Sequence, residues 1–294
     1  MKFGWFVATA ATGGEFERIR KICDRLQSVD MADTKAVGDA ETAIFRVLSG
    51  PTFNPDLRAK FVRHGIQLRH FNAYSHLHES AIFAYYKKEY AAAVLLLLAA
   101  LEGILLSVAG WTLGSPQRPG HKRLIEIVRS STSGHSGTLA QAHDMYRDVF
   151  ANFLESWLYT HTNDANLDVS VLNRHYIMHG FEPGNFYRPQ DVHRMILAFD
   201  VLIDWLSFNQ GNFMGIFVDT DDPLVAKRLT YYEALSEGDQ TVRQTWRTER
   251  GLLIDHPRYV PPTAEHGDEM SQMMDFMAKL DLMRKAAEFK PKDS

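Results

Sequence analysis

Three residues in LNRHYIMHGF (172–181) have the chemistry to handle a phosphate: Arg174, His175 and His179. A guanidinium keeps its charge and can bind two phosphate oxygens at once, whereas an imidazole moves a proton near neutral pH. Their neighbours Leu172, Tyr176, Ile177 and Met178 are apolar or aromatic, and a cation in such company needs a partner or a purpose. On a helix His175 and His179 share a face, while Arg174 stands about 140° from His179 at roughly 100° per residue. The long arginine side chain can still reach a common target, and two such helices paired about a two-fold axis would bring both sets into one cleft. The competing reading is structural: Arg174 bridged to an acid such as Glu102 or Asp191, and His179 held at a helix C-terminus by the dipole.

The elements that must position these residues read as helices nearly throughout. Asp168 or Ser170 can cap a helix running to His179, where Gly180 supplies a stop. Pro189 then opens a helix whose Val192, Met195, Ile196, Phe199, Leu202, Ile203 and Leu206 form one apolar face. Upstream, the spacing predicts helices over 15–28, over 41–48 with Gly50 and Pro51 as its end, and from His70 to Tyr86. The apolar run 91–111 and a segment 139–159 with Met145, Val149, Phe150 or Phe153 and Trp157 on one stripe come after them. Polar loops at 110–120 and 130–137 separate them, with a short helix around LIEIV between. The implied fold is all-α: an antiparallel helical bundle over 69–210, extra N-terminal helices in 1–68, and a C-terminal extension over 211–294. That extension contains a β-like NFMGIFVDT, a TDDP turn and a final amphipathic helix (268–288) rich in methionine, which suits docking.

Bulk composition narrows the chemistry. The 294 residues carry a formal net charge of −4, so general affinity for nucleic acid is not implied and any phosphate recognition must be local. One cysteine, Cys23, rules out an internal disulfide and suits a reducing, cytoplasmic setting. Its place among Phe16, Ile19, Ile22 and Leu26 reads as packing and not as a nucleophile. The N-terminal apolar stretch is broken by Gly4 and lacks the aliphatic core of a secretory leader. The run 91–111 is nearly long enough to span a bilayer, but Glu102 at its centre would cost roughly 2.5–3.5 kcal/mol there, so a bundle core with no membrane partner is the better reading.

Several familiar sites are missing. There is no Glu-x-x-His carboxylate and imidazole pair, no Cys/His zinc pattern, no phosphate loop ending in Lys-Ser or Lys-Thr, and no G-x-G-x-x-G. No metal and no cofactor is expected. SGHSG (133–137) lacks the G-x-S-x-G order of a nucleophile elbow. In HLHE, His76 and His78 occupy alternate helical positions and point apart, which suits surface or helix-start histidines better than metal ligands. LRAKFVRHGIQLRHF (57–71) gathers Arg58, Lys60, Arg63 and Arg69 with Phe61 and Phe71, and could line an RNA path, although such a run is more often a solvated helix face.

Arg174-His175-x-x-x-His179, set between Asn173 and Gly180 and followed by an aromatic-rich loop and a long amphipathic helix, resembles the motif of HEPN-domain proteins. The upstream YKKEYAAAVLLLLAALEGIL, with Glu102, is similar to the helix pair preceding that motif, and the likeness covers residues 70 to 208. The resemblance implies a homodimeric, metal-independent endoribonuclease of the toxin or phage-defence kind, cutting single-stranded RNA by 2′-hydroxyl attack and held in check by an antitoxin or another partner protein. It implies that Arg174 and His179 are catalytic, with His175 as the polar member beside them. Asn173, Glu102, Arg63 and Arg69 are the expected substrate-binding residues. Some members carry a tyrosine two places beyond the motif histidine as a site of modification; here that place is Phe181. The alternative is a non-catalytic bundle that binds a partner protein or a nucleotide.

Overall fold

The computed structural model describes residue 5 and residues 13–30, 32–160, 172–179, 188–210, 221–238 and 246–256. The β-like stretch 212–220, the helix expected over 268–288 and the cap candidates Asp168 and Ser170 lie outside them. The fold is all-α, with no strand among the described residues.

Helices α1 (Gly13–Leu26), α2 (Thr34–Thr52) and α3 (Pro55–Gln67) lead the chain. Asp33 Oδ1 accepts from the amides of Lys35 and Ala36, and Asn54 Oδ1 accepts from Asp56 and Leu57 with Pro55 as the first helical residue. Both satisfy helix-start donors that would otherwise be orphaned. The Asp33 cap starts α2 earlier than periodicity suggested, and the helix runs through Gly50 and Pro51 to end one residue later. Next come α4 (Ser75–Tyr86) and α5 (Tyr90–Val108), split by a three-residue turn in which Lys88 takes a positive φ of 65°. Beyond these lie α6 (His121–Arg129), α7 (Thr138–Phe153) running into a π-helical turn (Leu154–Leu158), α8 (Arg174–His179), α9 (Pro189–Gln210), α10 (Pro223–Ser236) and α11 (Trp246–Leu253).

The bundle forms where α4 packs along α5, α7 along α9, and α5 against α9. Helix α9 is buried on every side from Asp191 to Ser207, so all seven apolar positions expected on its face are interior, together with its charged residues. α3 and α10, from the two segments flanking 69–210, pack on each other and on α4, and all described residues fall in one compact unit, Met1–Arg258. Helix α5 is long and apolar enough to cross a membrane by length and composition, with half of its most apolar window buried in the fold.

Because α9 is surrounded, its charges are met by internal partners. Arg58 on α3 and Asp200 on α9 make two parallel bonds of 2.7 Å, each side chain 1% exposed. Arg194 reaches Glu41 on α2 and Asp191. On α4, Glu79 accepts from Arg228 at 2.9 and 3.1 Å and from Tyr232 at 2.5 Å, and His256 pairs with it too. Ser75 Oγ lies 2.7 Å from His256 Nδ1 on the far side of that ring.

These contacts correct four readings of the sequence. The stretch 57–71 does not present the residues named for an RNA path: Arg58 is spent on Asp200, and Phe61 and Phe71 are core residues rather than stacking platforms. His78 is not on the surface; it is fully buried with its ring stacked on Phe199, centroids 4.9 Å apart. Along α7 and its π-helical turn the buried stripe is Tyr146, Phe150, Phe153, Leu154 and Leu158, so both expected phenylalanines are interior but Met145 is exposed. Cys23 is exposed as well: α1 turns Ile19 inward and presents the thiol to solvent. Burial of its surroundings and neighbouring Asp24 raise the Cys23 pKa, which disfavours the reactive thiolate.

Candidate functional site

The site is built where four elements meet at one end of the bundle. Glu102 projects from α5, and its neighbour Gly103 has no side chain because a Cβ there would overlap the Tyr74 ring. The loop after α5 carries Arg118 back toward it, and Gly120 starts α6 with no side-chain cap, so His121 is the first helical residue. The π-helical turn that ends α7 closes with the amide of Tyr159 donating to Leu154 O at 2.8 Å. Such a turn inserts one residue relative to the α-helical count and re-aims the next side chain along; here that residue is Tyr159.

Asn173 holds the fourth element in place. Its Oδ1 accepts from the amide of His175 at 2.8 Å and its Nδ2 donates to Thr160 O at 2.6 Å. This amide caps α8 and ties it to the end of the π-helical turn. The residue is fully buried, so Asn173 positions the motif and does not face a substrate, which corrects its expected binding role. The cap also explains why α8 starts at Arg174.

The result is an open pocket of about 240 Å³ lined by Glu102, Arg118, His121, Tyr159, Arg174 and His175, with Pro119, Gly120 and Leu124 at its edge. Arg174 Nε lies 2.7 Å from Glu102 Oε1, the two side chains 20% and 21% exposed, although the N–H is not aimed to make a full hydrogen bond. Arg118 donates from Nη2 to Glu102 Oε2 at 3.1 Å. One carboxylate therefore faces two guanidinium groups, and the pocket keeps a surplus positive charge. His121 stacks on Tyr159 with centroids 5.7 Å apart and meets His175 edge-on at 6.3 Å. The Tyr159 hydroxyl is buried without a hydrogen-bond partner among the described residues. Burial and the Glu102 charge push its pKa up, against Arg174 and Arg118, so it keeps its proton.

Of the residues singled out from sequence, Arg174, His175 and Glu102 share this pocket. Glu102, not Asp191, is the acid beside Arg174; Asp191 pairs with Arg188 and Arg194. His179 closes α8, and its side chain lies outside the described part of the structure. Arg63 is elsewhere, tied at 2.8 Å to Asp222, the residue that caps α10, so it joins two helices. Arg69 sits exposed just beyond α3, its amide donating to Gln210 Oε1. Neither arginine lines the pocket. Sequence reasoning missed Arg118, His121 and Tyr159, for which the available signal was Arg-Pro-Gly leading straight into a helix start. Among the described residues no cluster of three or more His, Cys, Asp or Glu side chains could hold a metal ion. No protein-family model, no curated protein and no solved structure matches this chain.

Proposed function

We propose that this chain is a metal-independent endoribonuclease of the HEPN type that cuts single-stranded RNA at the Arg174 pocket. The observation that carries the reading is the open cavity in which Arg174 and His175 stand together with Arg118 and His121. Two guanidinium groups against one carboxylate favour an anion, and their planar forks match phosphate oxygens. In the reaction the 2′-oxygen bonds to phosphorus while the bond from phosphorus to the 5′-oxygen breaks. One imidazole takes the 2′-hydroxyl proton and a second protonates the departing 5′-oxygen, leaving a 2′,3′-cyclic phosphate and a 5′-hydroxyl. His179 fills one of these roles, and His175 or His121 the other. Arg174 stabilises charge on the crowded phosphorus once the phosphate has drawn it from Glu102.

The active form in this reading is a homodimer. On α5 the exposed Ala91, Ala92, Leu95 and Ala99 form an apolar stripe that leads toward Glu102, and a second copy seated there brings two pockets side by side. The Glu102 bridge to both arginines favours a second reading, in which the pocket holds a phosphate without cutting it.

Purified protein incubated with single-stranded RNA in EDTA tests the proposal. Cyclic-phosphate ends are expected, and Arg174→Ala or His179→Ala should lower the rate by roughly 10²–10³. RNA that stays intact, or cleavage that both variants retain, removes the ribonuclease reading.

A further inference from the structure

We propose that the start of α6 is a phosphoryl subsite in which the helix-start amide of His121, the Arg118 guanidinium and the Tyr159 hydroxyl grip one phosphate group, with Glu102 as the carboxylate it displaces. Three observations meet there. First, α6 begins at Gly120 with no side-chain cap, and its first intrahelical bond is from Leu124 N to Gly120 O. The three amides before Leu124 therefore have no partner within the helix, and the helix dipole adds positive potential at the same point. Second, the Tyr159 ring is 6% exposed, lines the same cavity and stacks on His121. Its hydroxyl has no hydrogen-bond partner among the described residues, and the charges of Glu102, Arg174 and Arg118 all act on it. A buried O–H that keeps its proton and lacks an acceptor is suited to an anion that brings one. Third, Arg118 is held by a single bond of 3.1 Å to Glu102 and is half exposed, so it can exchange one carboxylate for a phosphate at little cost.

The carboxylate of Glu102 thus holds the place of the anion that replaces it. In the ribonuclease reading, on which this assignment of the ligand rests, Arg174 takes the scissile phosphate and the α6 subsite takes its neighbour. Binding two successive phosphates sets the register of the strand.

Calorimetric titration with inorganic phosphate tests the subsite apart from any cleavage. Wild-type protein is expected to bind saturably. Arg118→Ala should weaken binding about ten-fold and Tyr159→Phe about three- to ten-fold, whereas Glu102→Gln should strengthen it several-fold, because the competing charge is gone. Tyr159→Phe keeps the ring and its packing, so it remains informative if Arg118→Ala fails to fold. Absence of saturable binding to wild type, or Tyr159→Phe binding as tightly as wild type, overturns the subsite even if the protein cuts RNA. Phosphate binding that weakens as stated while a single-stranded oligoribonucleotide in EDTA stays intact upholds the subsite and removes the ribonuclease reading.

Discussion

Two regions of this molecule use the same side-chain types to opposite ends. Around Glu79, an acid meets Arg228, His256 and Tyr232, and the acid, the arginine and the histidine are sealed completely. Around Glu102, an acid meets Arg118 and Arg174 beside two histidines and a tyrosine, and the group opens to solvent. The first even strings Ser75, His256 and Glu79 in the order of a hydrolase triad. That geometry has no outlet: Ser75, Glu79 and Arg228 have no exposed surface, so no substrate reaches the hydroxyl. Residue types and connectivity do not distinguish a site from a structural tie; access and unspent hydrogen-bonding capacity do. In the Glu79 group the carboxylate is satisfied from several directions, while at Glu102 the Tyr159 hydroxyl and the α6 amides are left over.

Breaking the sealed group should cost most. Arg228→Ala strands Glu79 in the interior without its counter-charge, and a loss of roughly 3–5 kcal/mol in unfolding free energy is expected from chemical denaturation. A loss below about 1 kcal/mol would mean that water reaches this group and that the contrast between the two regions is false.

Acid should strain the interior through its buried histidines. Burial lowers the pKa of His64 to about 4 and, with Arg58 adding to it, that of His78 to about 3, below an ordinary value of 6.5. The unfolded chain therefore binds protons that the folded chain refuses. Stability falls as pH drops below 6.5, by on the order of 1 kcal/mol per pH unit for each such histidine, until the folded values are approached. Glu79 works in a lower window. Burial raises its pKa, but Arg228 and His256 outweigh that and hold it at about 2, so its contribution is complete above 4.5 and lost as pH falls toward 2. Melting curves at pH 7, 6 and 5 should show the first decline, and identical midpoints at all three would exclude neutral buried histidines.

The smallest stability effect is expected at the pocket itself. Glu102→Gln removes a partly exposed bridge and should change unfolding free energy by about 0–1 kcal/mol, which a parallel denaturation series can check. A change as large as that of Arg228→Ala would place Glu102 with the structural ties.

The bundle helices were legible where apolar spacing dictates them, and α9 showed its core face fully, whereas α10 and α11, whose periodicity is weak, were not foreseen. What periodicity could not supply was the fate of the charges on the other faces. Arg58 read as part of an RNA path or a solvated helix face, yet α9 is enclosed, and Arg58, Arg194 and Asp200 are each matched from another element. The α7 stripe was misplaced because Met145 and Tyr146 are adjacent and both fit a helical repeat; packing chose the ring. Arg174 stood out through its apolar neighbours, and its companion acid was among those named. Arg118, His121 and Tyr159 were hidden because they converge on it from a loop, a helix start and a helix end that share no local pattern.

The π-helical turn at Leu154–Leu158 makes the pocket sensitive to chain length as well as to side chains. Removing any one residue of that turn would restore the ordinary helical phase and swing Tyr159 away from His121, although none of the five touches the cavity. The spacing between Phe153 and Tyr159 therefore constrains the pocket together with the identity of its lining residues.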